Sequence, residues 1–331
     1  MIPRILNGGW QLSPGHGSAV ATQSRQLDGW SRMVEAGFNT FDVADIYVGV
    51  ERLVGKLIAR HPRGAVRVHT KCVPDRSLLP RLRKQEIEST IDRSLERLGV
   101  ERIDRVQFHW WDFSVAGWIE AYGWLDELRR EGKIAEIAVT NFDLARLQKL
   151  IDSGLPVASH QLQYSIFDRR PAGAMAEFCI AHGIEMLCYG ALAGGLLGGR
   201  WSGVDRPTPD AVNRSIVKYL LIVEECGGWE PFQRRLQQLQ RIAERHQRSV
   251  ANVATRWLLD QPGVTAAIIG ACDDRWLKSN LQTLDFQLND DERAELSRGE
   301  ALHGEVYGLE RDAGGRHAEI MRYDLNRDAT E

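Results

Sequence analysis

The chain predicts a closed (β/α)8 barrel of the TIM type, on three observations. Eight short apolar runs alternate with longer amphipathic stretches along its 331 residues, the pattern of repeated strand and helix units around a parallel sheet. The 43% apolar content suffices for one large core, and barrels of this length form a single domain, so residues 1–331 are taken as one unit. Polar side chains also recur at the ends of successive apolar runs, where a barrel gathers its chemistry.

The strands are expected at Ile5 to Trp10, Thr40 to Asp42, Val66 to Lys71, Ile103 to His109, Ile134 to Thr140, Ala158 to Gln161, Glu185 to Tyr189 and Ala267 to Gly270. Helices are expected at Gln26 to Glu35, Gln85 to Leu98, Gly117 to Arg130, Leu144 to Asp152 and Gly173 to His182. Several are followed by a glycine, the usual helix terminator. In Gln85 to Leu98, the residues Ile87, Ile91, Leu95 and Leu98 recur at four- and three-residue steps, which aligns them in one stripe.

Composition narrows the function. A net charge of -3 without a basic block gives no electrostatic reason to expect nucleic acid. No run approaches the roughly 18 apolar residues of a membrane span, and the amino terminus lacks a charged segment leading into a long apolar run. A soluble protein is expected. The five cysteines, Cys72, Cys179, Cys188, Cys226 and Cys272, are odd in number and form no Cys-x-x-Cys pair, so they signal neither a disulfide framework nor zinc and suit a reducing cytoplasm.

The chemistry is concentrated in four residues. Asp42 ends one strand and Tyr47 follows in the next loop, Lys71 ends the third strand, and His109 ends the fourth. A carboxylate beside a lysine keeps the ammonium charged, and an ammonium beside a phenol stabilises phenolate, so Tyr47 could exchange a proton below its unperturbed pKa of about 10. Such a tyrosine suits general-acid catalysis of carbonyl reduction. Taken singly, each has a plainer explanation: Asp42 or Asp45 as a cap of the next helix, Tyr47 as a packed aromatic, Lys71 and His109 as solvated loop residues. Four of them converging on one barrel mouth favour chemistry.

These segments resemble the aldo-keto reductase family over most of the chain. The signature around that family's catalytic aspartate and tyrosine reads like Phe41-Asp-Val-Ala-Asp-Ile-Tyr47, followed by a helix start that carries Glu51. Thr70-Lys71 matches the lysine motif, Phe108-His109-Trp110 the histidine motif, and Val139-Thr140-Asn141-Phe142 the motif that holds the cofactor carboxamide. Gln161, and Tyr189 in Cys188-Tyr-Gly-Ala-Leu-Ala-Gly-Gly195, complete the nicotinamide set, with Gly190, Leu192, Gly194 and Arg200 in the pyrophosphate-side loop. Gly8-Gly9-Trp10 resembles the family's first-strand motif, and because the chain starts so near it, the usual N-terminal hairpin is expected to be truncated or absent.

The resemblance implies an NAD(P)H-dependent reductase of an aldehyde or ketone, with a small-molecule carbonyl substrate, no metal, and a monomeric or homo-oligomeric state. NADPH is the family's cofactor. At the adenosine end, however, Gly270, Cys272 and Trp276 stand where cations are usual, and Asp273 and Asp274 add negative charge. That makes NADH a competitor, with Arg275 the surviving candidate for a 2'-phosphate and Asn280 matching the adenine-binding asparagine. Ala271 also fits the motif. Trp10, Trp110 and Trp111 are expected to line an aromatic substrate pocket.

Two segments stand apart. Residues 197–231, with Pro207 and Pro209, read as a lid-like insertion. Residues 290–331 form a charge-rich C-terminal extension, including His303, Tyr307, Arg311, Arg316, His317 and Tyr323, that either wraps the mouth or stays mobile. Two other functions compete with the reductase. One is a nicotinamide-binding redox sensor or scaffold with slow turnover, as the family's channel-associated members suggest; the other, a metal-dependent lyase, lacks a ligand cluster such as His-x-His.

Overall fold

A computed structural model describes residues 2–13, 23–312 and 314–321; Tyr323 lies outside them. Eight parallel strands close into a barrel in sequence order: β1 (Ile5–Gly8), β2 (Thr40–Asp42), β3 (Arg67–Cys72), β4 (Ile103–Phe108), β5 (Ile134–Thr140), β6 (Ser159–Gln163), β7 (Glu185–Tyr189) and β8 (Val264–Gly270). Closure is made by β1 against β8, with Ile5 opposite Ala267 and Gly8 opposite Gly270.

Around the sheet lie α1 (Gln23–Glu35), α2 (Val50–Ile58), α3 (Lys84–Leu98), α4 (Trp118–Arg130), α5 (Leu144–Asp152), α6 (Ala174–Ala181), α7 (Arg214–Glu225), α8 (Trp229–His246), α9 (Val250–Leu259) and α10 (Leu277–Leu284). The stripe of α3 buries Ile87, Ile91 and Leu98, and the helix ends where Gly99 takes φ 66°, a conformation that costs glycine little. Asp143 caps α5 by accepting from the Arg146 amide at 2.9 Å, which satisfies one of the unpaired donors of the first turn. No helix of the described residues is long and apolar enough to cross a membrane.

The barrel interior is divided. Leu6, Leu187, Ala266 and Ile268 form an apolar sector under β1, β7 and β8, while β2 to β6 turn polar side chains inward. Near the amino ends of the strands, buried Arg105 bonds Glu136 at 2.9 Å and Glu185 at 2.7 Å. This ion cluster lies at the barrel floor. Nearer the carboxyl ends the same sector carries the residues described next.

The connection after β7 is packed more tightly than a loop. Helix α7 buries Ile216, Tyr219, Leu220, Ile222 and Val223, and three further helices come after α10: α11 (Asp290–Ser297) and, beyond it, the short α12 (Gly308–Arg311) and α13 (Arg316–Met321). A bridge between Asp168 and Leu302 ties the extension to the loop after β6. Charge there does not mean exposure, since Glu310 and His317 are both buried.

Candidate active site

Asp42 is the hub of the mouth. Its Oδ2 accepts from Lys71 Nζ at 2.8 Å, and its Oδ1 accepts from Gln107 Nε2 at 2.8 Å and Gln161 Nε2 at 2.6 Å. Both charges are buried, and the cost of removing them from water is offset because each meets an opposite charge and further hydrogen bonds. Lys71 also donates to the Val43 carbonyl at 2.9 Å, which aims its ammonium along one line. Its Nζ lies 5.3 Å from the centroid of the Tyr47 ring.

Tyr47 sits in the turn between β2 and α2, where its amide bonds Ala44 O at 3.0 Å and its carbonyl accepts from Val50 N at 3.0 Å. The turn is fixed from behind. Buried Glu51, at the start of α2, accepts from Thr70 Oγ1 at 2.7 Å and Arg97 Nη1 at 3.2 Å. Neither Asp42 nor Asp45 caps α2, because the capping position is Gly49 at φ 76°.

His109 follows β4 and is buried, edge-on to Trp111 at 4.5 Å and to Tyr307 at 6.1 Å between ring centroids. Burial pushes its imidazole pKa down to about 3, with the positive charges of Arg311 and Lys71 adding to the effect. A neutral imidazole can donate a hydrogen bond to a carbonyl oxygen but brings no excess proton near pH 7.

On the other side of the mouth, Asn141 and Gln161 present complementary halves of their amides. Tyr189 Oη donates to Asn141 Oδ1 at 2.8 Å, so Nδ2 is left as a donor with no partner among the described residues. Gln161 commits Nε2 to Asp42, which leaves Oε1 without a hydrogen bond among those residues. One donor beside one acceptor is what a carboxamide requires, and the ring of Tyr189 offers a stacking face. These residues fit a nicotinamide. Thr140 is buried at the end of β5 beside Gln161, and Lys218 of α7 places its ammonium 4.9 Å from the Tyr189 ring.

The glycine loop has a packing role of its own. Gly190 at φ 83° and Gly194 at φ 65° would, with a Cβ, meet Tyr219 at 2.6 and 2.7 Å, and at Gly194 also Ser215 O at 2.8 Å. Both glycines therefore first admit α7, whatever phosphate approaches their amides. Leu192 is half-buried in the same loop, and Arg200 is exposed with its guanidinium 4.9 Å from the Trp201 ring.

At the adenosine end the acidic rim is paired. Arg275 Nε reaches both oxygens of Asp273 at 2.8 Å, and Arg32 Nε bonds Asp274 at 2.6 Å. Each carboxylate of the rim thus holds an arginine, and Arg275, the expected 2'-phosphate candidate, is engaged with Asp273. Ala271 is buried, its carbonyl accepting from Trp30 Nε1 at 2.8 Å. Gly270 is exposed beside the side chain of Gln11, and Asn280 is half-buried in α10.

Of the three pocket tryptophans, Trp111 lies at the mouth with Nε1 on Pro74 O at 3.0 Å, and Trp10 is half-buried in a turn after β1. Trp110 does not belong there. It is 1% exposed and packs on Phe108 outside the barrel, with Nε1 on the carbonyls of Asp112 and Val115. The reason is alternation: if His109 faces the mouth, its neighbour faces the helices.

Sequence reasoning passed over Gln107 and gave the tail residues no role in the site. Gln107 stands two positions before His109 and so on the same face, a signal that was legible. Tyr307, buried at φ 62°, turns its ring edge to His109. Glu310 bonds Arg170, which in turn holds Asp168 and so forms a buried ion cluster. Arg311 donates to Asp143 Oδ2 at 2.7 Å and to the Asn141 carbonyl.

Comparison with known proteins finds relatives over most of the chain. The model of the Aldo/keto reductase family matches residues 4–299. The chain is 28% identical over 276 residues to the NADH-specific methylglyoxal reductase of Escherichia coli K12, covering 77% of this chain and 81% of that one. It is 28% identical over 308 residues to the chloroplastic pyridoxal reductase of Arabidopsis thaliana, with 87% and 79% covered. The glycerol dehydrogenase structure from Gluconobacter oxydans superposes with a TM-score of 0.76 at 25% identity, covering 89% of this chain and 90% of that one.

Proposed function

Because the chain belongs to the aldo-keto reductase family, we propose that Tyr47 is the proton donor of its reaction and His109 the group that orients the carbonyl. The protein is an NAD(P)H-dependent oxidoreductase that reduces an aldehyde or ketone to an alcohol. When bound, the nicotinamide supplies a hydride from its C4. Asn141 Nδ2 and Gln161 Oε1 would hold its carboxamide, and the Tyr189 ring its face.

The rest is the work of this chain. His109, kept neutral by burial, donates a hydrogen bond to the carbonyl oxygen and polarises it. Tyr47 releases its phenolic proton to that oxygen as negative charge develops there, and the Lys71 ammonium stabilises the phenolate left behind. Asp42 holds Lys71 in place while Gln107 and Gln161 hold Asp42. The carrying observation is the buried Lys71–Asp42 pair beside Tyr47, opposite an imidazole that cannot itself serve as the acid near pH 7.

Trp111, Trp10 and Tyr307 favour a planar or apolar carbonyl compound as substrate. The segment 197–231 covers the pyrophosphate side and the C-terminal extension closes the substrate side. At the adenosine end a 2'-phosphate would have to displace Asp273 from Arg275, which supports NADH as a competent cofactor beside NADPH; the methylglyoxal reductase similar to this chain is NADH-specific. The five cysteines, in no disulfide among the described residues, suit a reducing cytoplasm. The test is oxidation of NADH and NADPH by activated carbonyls such as methylglyoxal, with loss of turnover in Tyr47→Phe. Tight cofactor binding with sluggish turnover in the unmodified protein would instead favour a redox sensor.

A further inference from the structure

We propose that Arg311, in the extension beyond the family-matched residues 4–299, is a positioning residue for the nicotinamide site and acts through the backbone of Asn141. The inference rests on the reading that Asn141 Nδ2 holds the carboxamide.

Asn141 occupies φ 59°, a left-handed conformation that asparagine tolerates but does not prefer. The residue is pinned at three points. Its amide donates to Gln161 O at 2.9 Å, its Oδ1 accepts from Tyr189 Oη at 2.8 Å, and its carbonyl accepts from Arg311 Nη2. Only the last contact comes from outside the barrel. Without it, a buried carbonyl would lose its partner and the peptide could rotate, carrying Nδ2 away from Gln161 Oε1.

Arg311 is itself held firmly. Its Nη1 reaches Asp143 Oδ2 at 2.7 Å, and the guanidinium lies 4.6 Å from the Phe113 ring and 5.2 Å from the Tyr307 ring. The adjacent Glu310 is locked to Arg170 at 2.8 Å and 3.0 Å. A planar fork that spans a carboxylate and a carbonyl while stacked between two rings is a role lysine cannot fill. The same guanidinium helps keep His109 neutral, so a single tail residue bears on both sides of the mouth.

The test compares NADH with ADP-ribose, which lacks the nicotinamide, by equilibrium titration of the full-length protein. Arg311→Ala should weaken NADH binding about tenfold, the scale of one hydrogen bond lost, and leave ADP-ribose binding within about twofold. In an Asn141→Gly background, where glycine keeps the left-handed backbone but removes the donor, Arg311→Ala should add nothing further to the NADH loss. Equal loss for both ligands, or an undiminished loss in the Asn141→Gly background, would overturn the proposal. If Asn141→Gly alone leaves NADH binding unchanged, it is the reading of Asn141 that fails. Should Arg311→Ala not fold, Arg311→Lys keeps the charge beside Asp143 and is expected to show a partial, nicotinamide-dependent loss; an unchanged ratio of NADH to ADP-ribose affinity in that variant refutes the role.

Discussion

Replacing Lys71 with methionine removes a positive charge whose Nζ lies 5.3 Å from the Tyr47 ring centroid. At an effective dielectric of about 20, a unit charge at that distance is worth roughly 3 kcal/mol to a phenolate, or about two pK units. Asp42 would then remain buried with only the amides of Gln107 and Gln161, and its charge would push the phenol further in the same direction. Tyr47 becomes a weaker acid. In the reducing direction, where the protonated phenol is required, the alkaline limb of kcat/KM should move upward by about two pH units, and the maximum should fall about 100- to 10,000-fold, the usual contribution of a placed general acid. His109, with its pKa pushed to about 3, adds no limb near neutrality. Loss of one partner of a buried pair also costs about 3–5 kcal/mol of stability, so the profile is measured where a thermal melt shows the variant folded. Residual activity with an unmoved alkaline limb would refute the electrostatic coupling of Lys71 to Tyr47.

Two further outcomes follow from the ion pairs. Asp273→Ala releases Arg275 and should improve NADPH binding relative to NADH about five- to tenfold, the order of one charge-assisted contact; parallel titrations of the two cofactors check this, and an unchanged ratio rules out Arg275 as a 2'-phosphate partner. Glu310→Gln should destabilise the fold by about 3 kcal/mol at pH 7, read from denaturant melts, because it removes the carboxylate that accepts two hydrogen bonds from buried Arg170. Burial alone would raise the Glu310 carboxyl, but the bonds from Arg170 outweigh it and hold it below its ordinary 4.5. The stability it contributes is therefore present above that value and lost as pH falls through the depressed one, so the gap between native protein and variant should narrow below about pH 4.5. A gap constant down to pH 3 would contradict the pairing.

Much of the barrel was legible because its strands are apolar toward the helices. Thr40–Asp42, Ile134–Thr140 and Glu185–Tyr189 fall where their patterns end. The sixth strand runs on to Gln163 because the barrel interior is polar there: Gln163 faces inward and donates to Asp168 at 2.6 Å, so a glutamine that looks like a loop residue is core. The grouping of Asp42, Lys71 and His109 at strand ends, with Tyr47 in the loop after β2, was legible from placement, and the outward side of Trp110 from strand alternation, which forbids two neighbours from sharing a face. Helix α7 could also be found, since Ile216, Leu220 and Val223 recur at four- and three-residue steps. The roles of Tyr307, Glu310 and Arg311 were not. They depend on partners more than 100 residues away in the chain, and nothing in a charge-rich tail says which of its ions will be buried.

The most direct measurement is the pairing of turnover with cofactor affinity in Tyr47→Phe. That change deletes one transferable proton and almost no contact area, so turnover of a carbonyl substrate should fall at least about 100-fold while NADH and NADPH dissociation constants stay within about twofold of the unmodified protein. Retained turnover, or equal loss of turnover and cofactor binding, would contradict Tyr47 as the proton donor.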